Sequence, residues 1–348
     1  MEIVIAILVF CVIIIIHELG HFTAAKLCGI QVNEFALGMG PVILRKQRGE
    51  TQYVLRLLPI GGSVSMEGEN GDSDEENPRA FNRKPVWQRM IVILAGPVMN
   101  LILGFIVVII STCTAQLVAT TTISVFRENS VSSNYLMVDD EITEIEGLPI
   151  FTATDISYKL QNSDRKNANG NLVFDFTVKR NGETVSLKDV EFTTQTNENG
   201  SDSLYFDFKV YPMEKNFISV MSYSLKESLS TGRLIIMSLI DIVKGKYGLN
   251  DFAGPVGVVQ VVSQSVSYGL STFLSLVSMI TINIGVFNLL PIPALDGSRF
   301  VFLVIEAIRR KPLKPEVEGI VHFVGFAVLM IFMLVVTAGD ITRLVTGG

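Results

Sequence analysis

His17 and His21 stand four residues apart, with Glu18 beside the first, in the run VIIIIHELGH at residues 12–21. On a helix, positions i and i+4 share a face, so both imidazoles can reach one divalent cation. The adjacent glutamate can then take a proton from a water polarised there. The chain has only three histidines in 348 residues, and chance would produce this pattern in about one such sequence in a thousand. A plainer reading makes the histidines interfacial caps on a membrane helix, with Glu18 in an ion pair. Placing so much polarity at the end of an apolar run is costly, and capping does not account for that cost.

A catalytic zinc takes three protein ligands and leaves a fourth position open. Carboxylates within apolar runs are scarce here, and Asp296, closing the stretch NLLPIPALD, is the candidate. Pro291 and Pro293 prevent a continuous helix ahead of it. Broken backbone at membrane depth is tolerated only where it lines a cavity or is buried in protein. The plainer alternative is an interfacial Asp-Gly turn.

The elements that must carry these residues are membrane helices. Hydrophobic residues make up 49% of the chain and charged residues 18%, and the apolar residues are clumped. Four runs reach the roughly 20 residues that a bilayer requires: 3–27, 90–110, 270–295 and 320–338. The first lacks the basic flank and cleavage site of a signal peptide, so it reads as a retained span. A net charge of −6 argues against nucleic acid as a partner. Cys11, Cys28 and Cys113 show no paired spacing that would suggest a disulfide framework.

The expected fold class is a polytopic α-helical membrane protein of four spans with a soluble α+β insert. Residues 1–28 form the first span, with HELGH, and 29–89 a loop whose YVLRLLPIGGSVSM suggests hairpin strands. Its acidic run at 72–76 reads as a solvated loop. Residues 90–116 are the second span, and 117–215 an insert with period-2 strands such as NLVFDFTVKR. Residues 216–269 carry Ile218, Met221, Leu225 and Leu229 at helical spacing and are expected to lie on the membrane surface. Residues 270–298 are the third span, 299–318 a loop, and 319–348 the fourth span with the C-terminus.

Basic residues near the span ends set the orientation. Lys26, Arg83, Lys84 and Arg89 flank the first loop, and Arg299, Arg309, Arg310, Lys311 and Lys314 fill the last. Both loops are therefore expected in the cytosol, with the termini and insert outside. A first span entering from outside puts His17 about 20 Å down, in the inner half of the bilayer. Asp296, at the inner end of the third span, would lie at a similar level.

Taken together, HELGH, GPVMN and NLLPIPALDG resemble the site-2 protease family of intramembrane zinc metalloproteases. FALGMGP, PIGGSVSMEGE, FNRKPVWQRMIVILAGPVMN and FAGPVG resemble its bacterial RseP/RasP branch, over nearly the whole chain. The resemblance implies zinc held by His17, His21 and Asp296, with Glu18 as general base. It implies that Asn288 and Pro291 position the substrate, with Asn100 of GPVMN directed to the active-site region. Residues 35–66, with Gly61 and Gly62, would form a membrane-associated hairpin whose edge takes an unwound substrate as an added strand. The insert would be a PDZ-like domain. Where the family commonly continues LDG with Gly-His, this chain has Ser298 and Arg299. The PDZ signature of the insert is replaced by LMVDDEITEIEGLPI.

The implied activity is hydrolysis within the transmembrane segment of a single-span protein already trimmed by a site-1 protease. An anti-sigma factor or a signal-peptide remnant would fit, with the lipid bilayer as the other partner. Two alternatives are another membrane zincin with a downstream glutamate ligand, and a non-catalytic scaffold that binds partners through the insert. Of the remaining polar residues, His322 reads as an interfacial histidine satisfied by water or backbone, and Asp340 with Arg343 as an outer-interface pair.

Overall fold

The computed structural model describes residues 2–69, 77–162, 165–167, 170–196, 202–246, 248 and 253–346. The acidic run at 72–76 lies outside them. The chain divides into two compact units, 1–107 with 238–348, and 108–237.

In the first unit, helix α1 (Glu2–Leu27) leads into strands β1 (Val32–Arg48) and β2 (Thr51–Met66), an antiparallel pair. The pairing is not a simple ladder. Residues 34–37 have partners at 52–55 and again at 62–65, so this short segment sits mid-sheet and leaves 62–65 at an edge. Helix α2 (Val86–Thr114) begins in this unit and α4 (Phe217–Val243) ends in it. They are followed by α5 (Pro255–Ser267), α6 (Leu270–Leu289), α7 (Asp296–Arg309) and α8 (Pro315–Thr346).

Four helices are long and apolar enough to cross a membrane: Ile3–Leu27, Val86–Thr114, Leu270–Leu289 and Glu316–Arg343. Exposed apolar side chains are abundant along them, such as Leu8, Ile106 and Leu334. Such a surface is costly in water and suits lipid. The chain is a membrane protein.

A core of Ala25, Ile30, Val32, Met66, Val92, Ile93 and Leu303 joins α1, the sheet, α2 and α7. Arg89 of α2 adds a two-pronged, largely buried ion pair to Glu306 of α7. Asp340 of α8 accepts a hydrogen bond from the Gly257 backbone at 2.8 Å, which fixes the start of α5, and pairs with Arg343.

One expectation needs correction here. The expected loop at 299–318 is mostly helix, because α7 runs to Arg309 and α8 starts at Pro315, leaving only 310–314 between them. Phe300, Leu303 and Glu306 recur along it at helical spacing, and Leu303 and Glu306 are anchored as described above. The segment 216–269 contains two helices, α4 and α5.

The second unit holds β3 (Ala119–Phe126), β4 (Glu141–Ile145), β5 (Leu148–Pro149), α3 (Ala153–Gln161), β6 (Leu172–Arg180), β7 (Glu183–Phe192) and β10 (Phe208–Pro212). A separate ribbon pairs β8 (Thr194–Thr196) with β9 (Asp202–Leu204). The main sheet runs β10-β3-β4-β6-β7, with β5 on β4, around a core that includes Ile123, Ile142, Phe174, Phe176 and Phe192. Asp155 is wholly buried, accepts the Phe151 and Thr152 backbone N–H groups and pairs with Arg233 of α4. This fastens α4 to the insert.

Candidate metal centre

The histidines of HELGH lie on one face of α1, as their spacing requires. His21 is buried, and its Nδ1 is 2.8 Å from the carbonyl oxygen of Val92 on α2. A carbonyl only accepts, so the ring proton sits on Nδ1 and Nε2 presents a lone pair.

His17 Nδ1 faces the Asn100 amide at 3.2 Å. The amide nitrogen points at the ring, while the amide oxygen, buried, has no partner among the described residues. A half-turn about the last torsion exchanges the two ends. It lets His17 Nδ1–H donate to the oxygen, and His17 Nε2 then also presents a lone pair.

Asp296 comes from the first turn of α7. Helix α6 stops at Leu289, the prolines carry the chain through a break that turns at Pro293 and Ala294, and α7 begins at Asp296. Its Oδ2 lies 3.0 Å from His17 Nε2 and 3.3 Å from His21 Nε2, which are 3.2 Å from each other. Oδ2 is buried and accepts no hydrogen bond from a described group. Tetrahedral zinc with bonds of about 2.0–2.1 Å separates its donors by about 3.3 Å. The triangle of two imidazole nitrogens and one carboxylate oxygen fits that ion and leaves a fourth position. Among the described residues it is the one group of histidine, cysteine and acidic side chains drawn this close.

The sequence model of Peptidase family M50 matches residues 5–332. The chain belongs to family M50. A Clostridium acetobutylicum protein carrying a zinc metalloprotease name is 36% identical over 98% of this chain and 97% of its own length. The regulator of sigma-W protease RasP of Bacillus subtilis is 29% identical over 97% of each chain. The zinc metalloprotease RasP of Shouchella clausii is 30% identical, again over 97% of each. This M50 peptidase is thus a zinc metalloprotease of the site-2 protease family.

The other residues singled out in the sequence fall at varied places in this M50 chain. Gly62 lies against Glu18, where a β-carbon would come 2.7 Å from the glutamate Cγ, while Gly61 packs on Met39. Asn288 donates to the Ile284 carbonyl of its own helix at 3.0 Å, and Pro291 is exposed in the break. Asn100 contacts a histidine of the triangle. Gly96 was not singled out, although it faces both imidazoles. Its sequence signals are that it opens the motif GPVMN and lies four residues before Asn100, on the same helical face.

Proposed function

We propose that this protease cleaves a peptide bond within the transmembrane segment of single-span membrane proteins. In this reading His17, His21 and Asp296 hold zinc, and Glu18 is the general base. The observation that carries it is the convergence of three donor atoms from α1 and α7, two helices remote in sequence, at a separation suited to one tetrahedral ion.

When bound, zinc supplies a Lewis acid that polarises the scissile carbonyl and makes water a competent nucleophile near neutral pH. Glu18 accepts the proton of the attacking water and returns it to the departing amine. Val92 and Asn100 keep the two imidazoles oriented by holding their second nitrogens.

The scissile segment must lose its helical hydrogen bonds before it can be cut. The strand at 62–65 has a partner on one side only among the described residues, and Gly62 passes next to Glu18. An unwound substrate added to that edge would be hydrogen-bonded beside the catalytic glutamate. Asn288 and Pro291 are read as positioning the substrate beside the metal, and Met39, Ile43, Leu44 and Leu57 are exposed apolar residues of the sheet that suit a lipid surface.

The insert, with its antiparallel sheet and single α3, is read as a PDZ-like domain outside the cytoplasmic membrane, with the active site toward the cytosol. On α4, Ile218, Leu225, Leu229, Ile236 and Ile240 form an exposed apolar stripe suited to the membrane interface. The substrates are single-span proteins already shortened by a site-1 protease, either an anti-sigma factor or a signal-peptide remnant.

The test is Glu18→Gln, co-expressed with a single-span protein tagged at both ends and truncated outside. The intact substrate should accumulate and co-purify with the variant. Normal cleavage by Glu18→Gln would refute the assignment.

A further inference from the structure

Asp296 is delivered by a stretch of backbone in an unfavourable conformation. Ala294, two residues ahead of it, has φ 75°, a left-handed geometry that a residue with a β-carbon rarely adopts without an external tie. The stretch is only half-buried. Ala294, Leu295 and Asp296 border a cavity of about 390 Å³ shared with Arg299 and Phe326.

The ties come from α8. His322 Nδ1 accepts the Ala294 N–H at 3.1 Å, and its ring stands edge-on to Phe302 at 5.7 Å. One turn further along, Gly325 lies directly beneath Pro293, where a β-carbon would fall 2.2 Å from the proline Cβ. His322 and Gly325, at i and i+3, therefore share the face on which Pro293 and Ala294 rest.

We propose that His322 is a positioning residue for Asp296: by accepting the Ala294 N–H it holds the left-handed turn that aims the carboxylate at His17 and His21. The proposal rests on the zinc assignment above. It predicts that the ring's hydrogen-bonding nitrogen matters more than its bulk, because a general packing role would be served by any aromatic side chain.

Two substitutions separate these roles in the full-length protein. His322→Phe keeps a ring against Phe302 and removes the acceptor. His322→Asn loses the ring and places an oxygen near the position of Nδ1. Zinc affinity is read by chelator competition, and ligand geometry by the absorption bands of the cobalt(II)-substituted protein. His322→Phe should weaken zinc at least tenfold and displace the cobalt bands, whereas His322→Asn should stay within threefold of native with its bands in place.

His322→Gln carries its acceptor too far out and should match His322→Phe, which keeps the test decisive if the phenylalanine variant does not fold. Native behaviour of His322→Phe and His322→Gln, or an Asn variant as impaired as they are, overturns the proposal. Asp296→Ala distinguishes the two levels. If it loses zinc while His322→Phe keeps it, the role of His322 alone is refuted. If it binds zinc as the native chain does, the ligand assignment falls and this inference falls with it.

Discussion

Gly96 of α2 lies so close to His21 of α1 that a β-carbon at position 96 would stand 2.3 Å from the imidazole Nε2, and 2.8 Å from that of His17. No contact that short is sustainable, so the two helices can approach to this distance only with a hydrogen at that point. The same approach brings the Val92 carbonyl and the Asn100 amide, which flank Gly96 by one turn on either side, against the second nitrogens of the two rings.

Gly96→Ala should therefore displace the imidazoles by a substantial fraction of an ångström. A misplacement of about 1 Å in a catalytic group can cost about a hundredfold in rate. Cleavage of a tagged single-span substrate should fall by that order, with weaker zinc retention on dialysis. Wild-type zinc content and rate in Gly96→Ala would contradict the packing described.

Asn100 makes a different prediction, because its contribution is one acceptor. Asn100→Leu strips His17 Nδ1–H of its partner and should weaken zinc by about 10–100-fold. Asn100→Asp keeps an oxygen there and should stay close to native. Chelator competition measures both, and equal losses in the two variants would show that shape rather than hydrogen bonding matters at this position.

The Arg89–Glu306 pair braces α7, the helix that begins with Asp296, against α2. Both side chains are largely buried, so removing one leaves an uncompensated charge. Arg89→Ala should cost about 3–5 kcal/mol, read as a large drop in melting temperature in detergent. Replacing both residues with apolar ones of similar volume should restore much of the loss.

Glu50, at the turn between β1 and β2, shows a pH dependence whose sign can be worked out. Its hydrogen bonds from Arg79, and next from Lys26, hold the carboxyl down at about 2, against an ordinary value of 4.5. A carboxyl depressed in the folded state contributes stability that is fully present above its unfolded value and lost as pH falls from there through about 2. The melting-temperature gap between the native chain and Glu50→Gln should be constant from pH 7 to 6 and shrink steadily below pH 4.5. A gap that widened on acidification would contradict the pairing.

The parts of the site legible in the sequence were those governed by local spacing. HELGH needs only helical periodicity, and Pro291 and Pro293 announce the break before Asp296. The residues that escaped act across the chain. GPVMN points one face of α2 at the site, but nothing in it says that two imidazoles will lie over position 96, and nothing near position 322 says that its ring will meet the Ala294 backbone. That histidine reads as an interfacial side chain because its partner is 28 residues away on another element. Helix α7 was hidden for a different reason. Arg299, Arg309, Arg310 and Lys311 carry the charge signature of a cytosolic loop, and this masked the helical recurrence of Phe300, Leu303 and Glu306 until their partners on α1 and α2 were visible. In the insert, the alternation in NLVFDFTVKR gives strands, but strand order depends on pairings such as β10 with β3 that are fixed by long-range packing.

The most direct test of the zinc assignment is X-ray absorption at the zinc edge on the purified chain. The account predicts one zinc per chain with two imidazole nitrogens and oxygen donors at about 2.0–2.2 Å, and loss of one imidazole's scattering in His21→Ala. A chain without bound zinc, or a spectrum unchanged in both His21→Ala and Asp296→Ala, would contradict it.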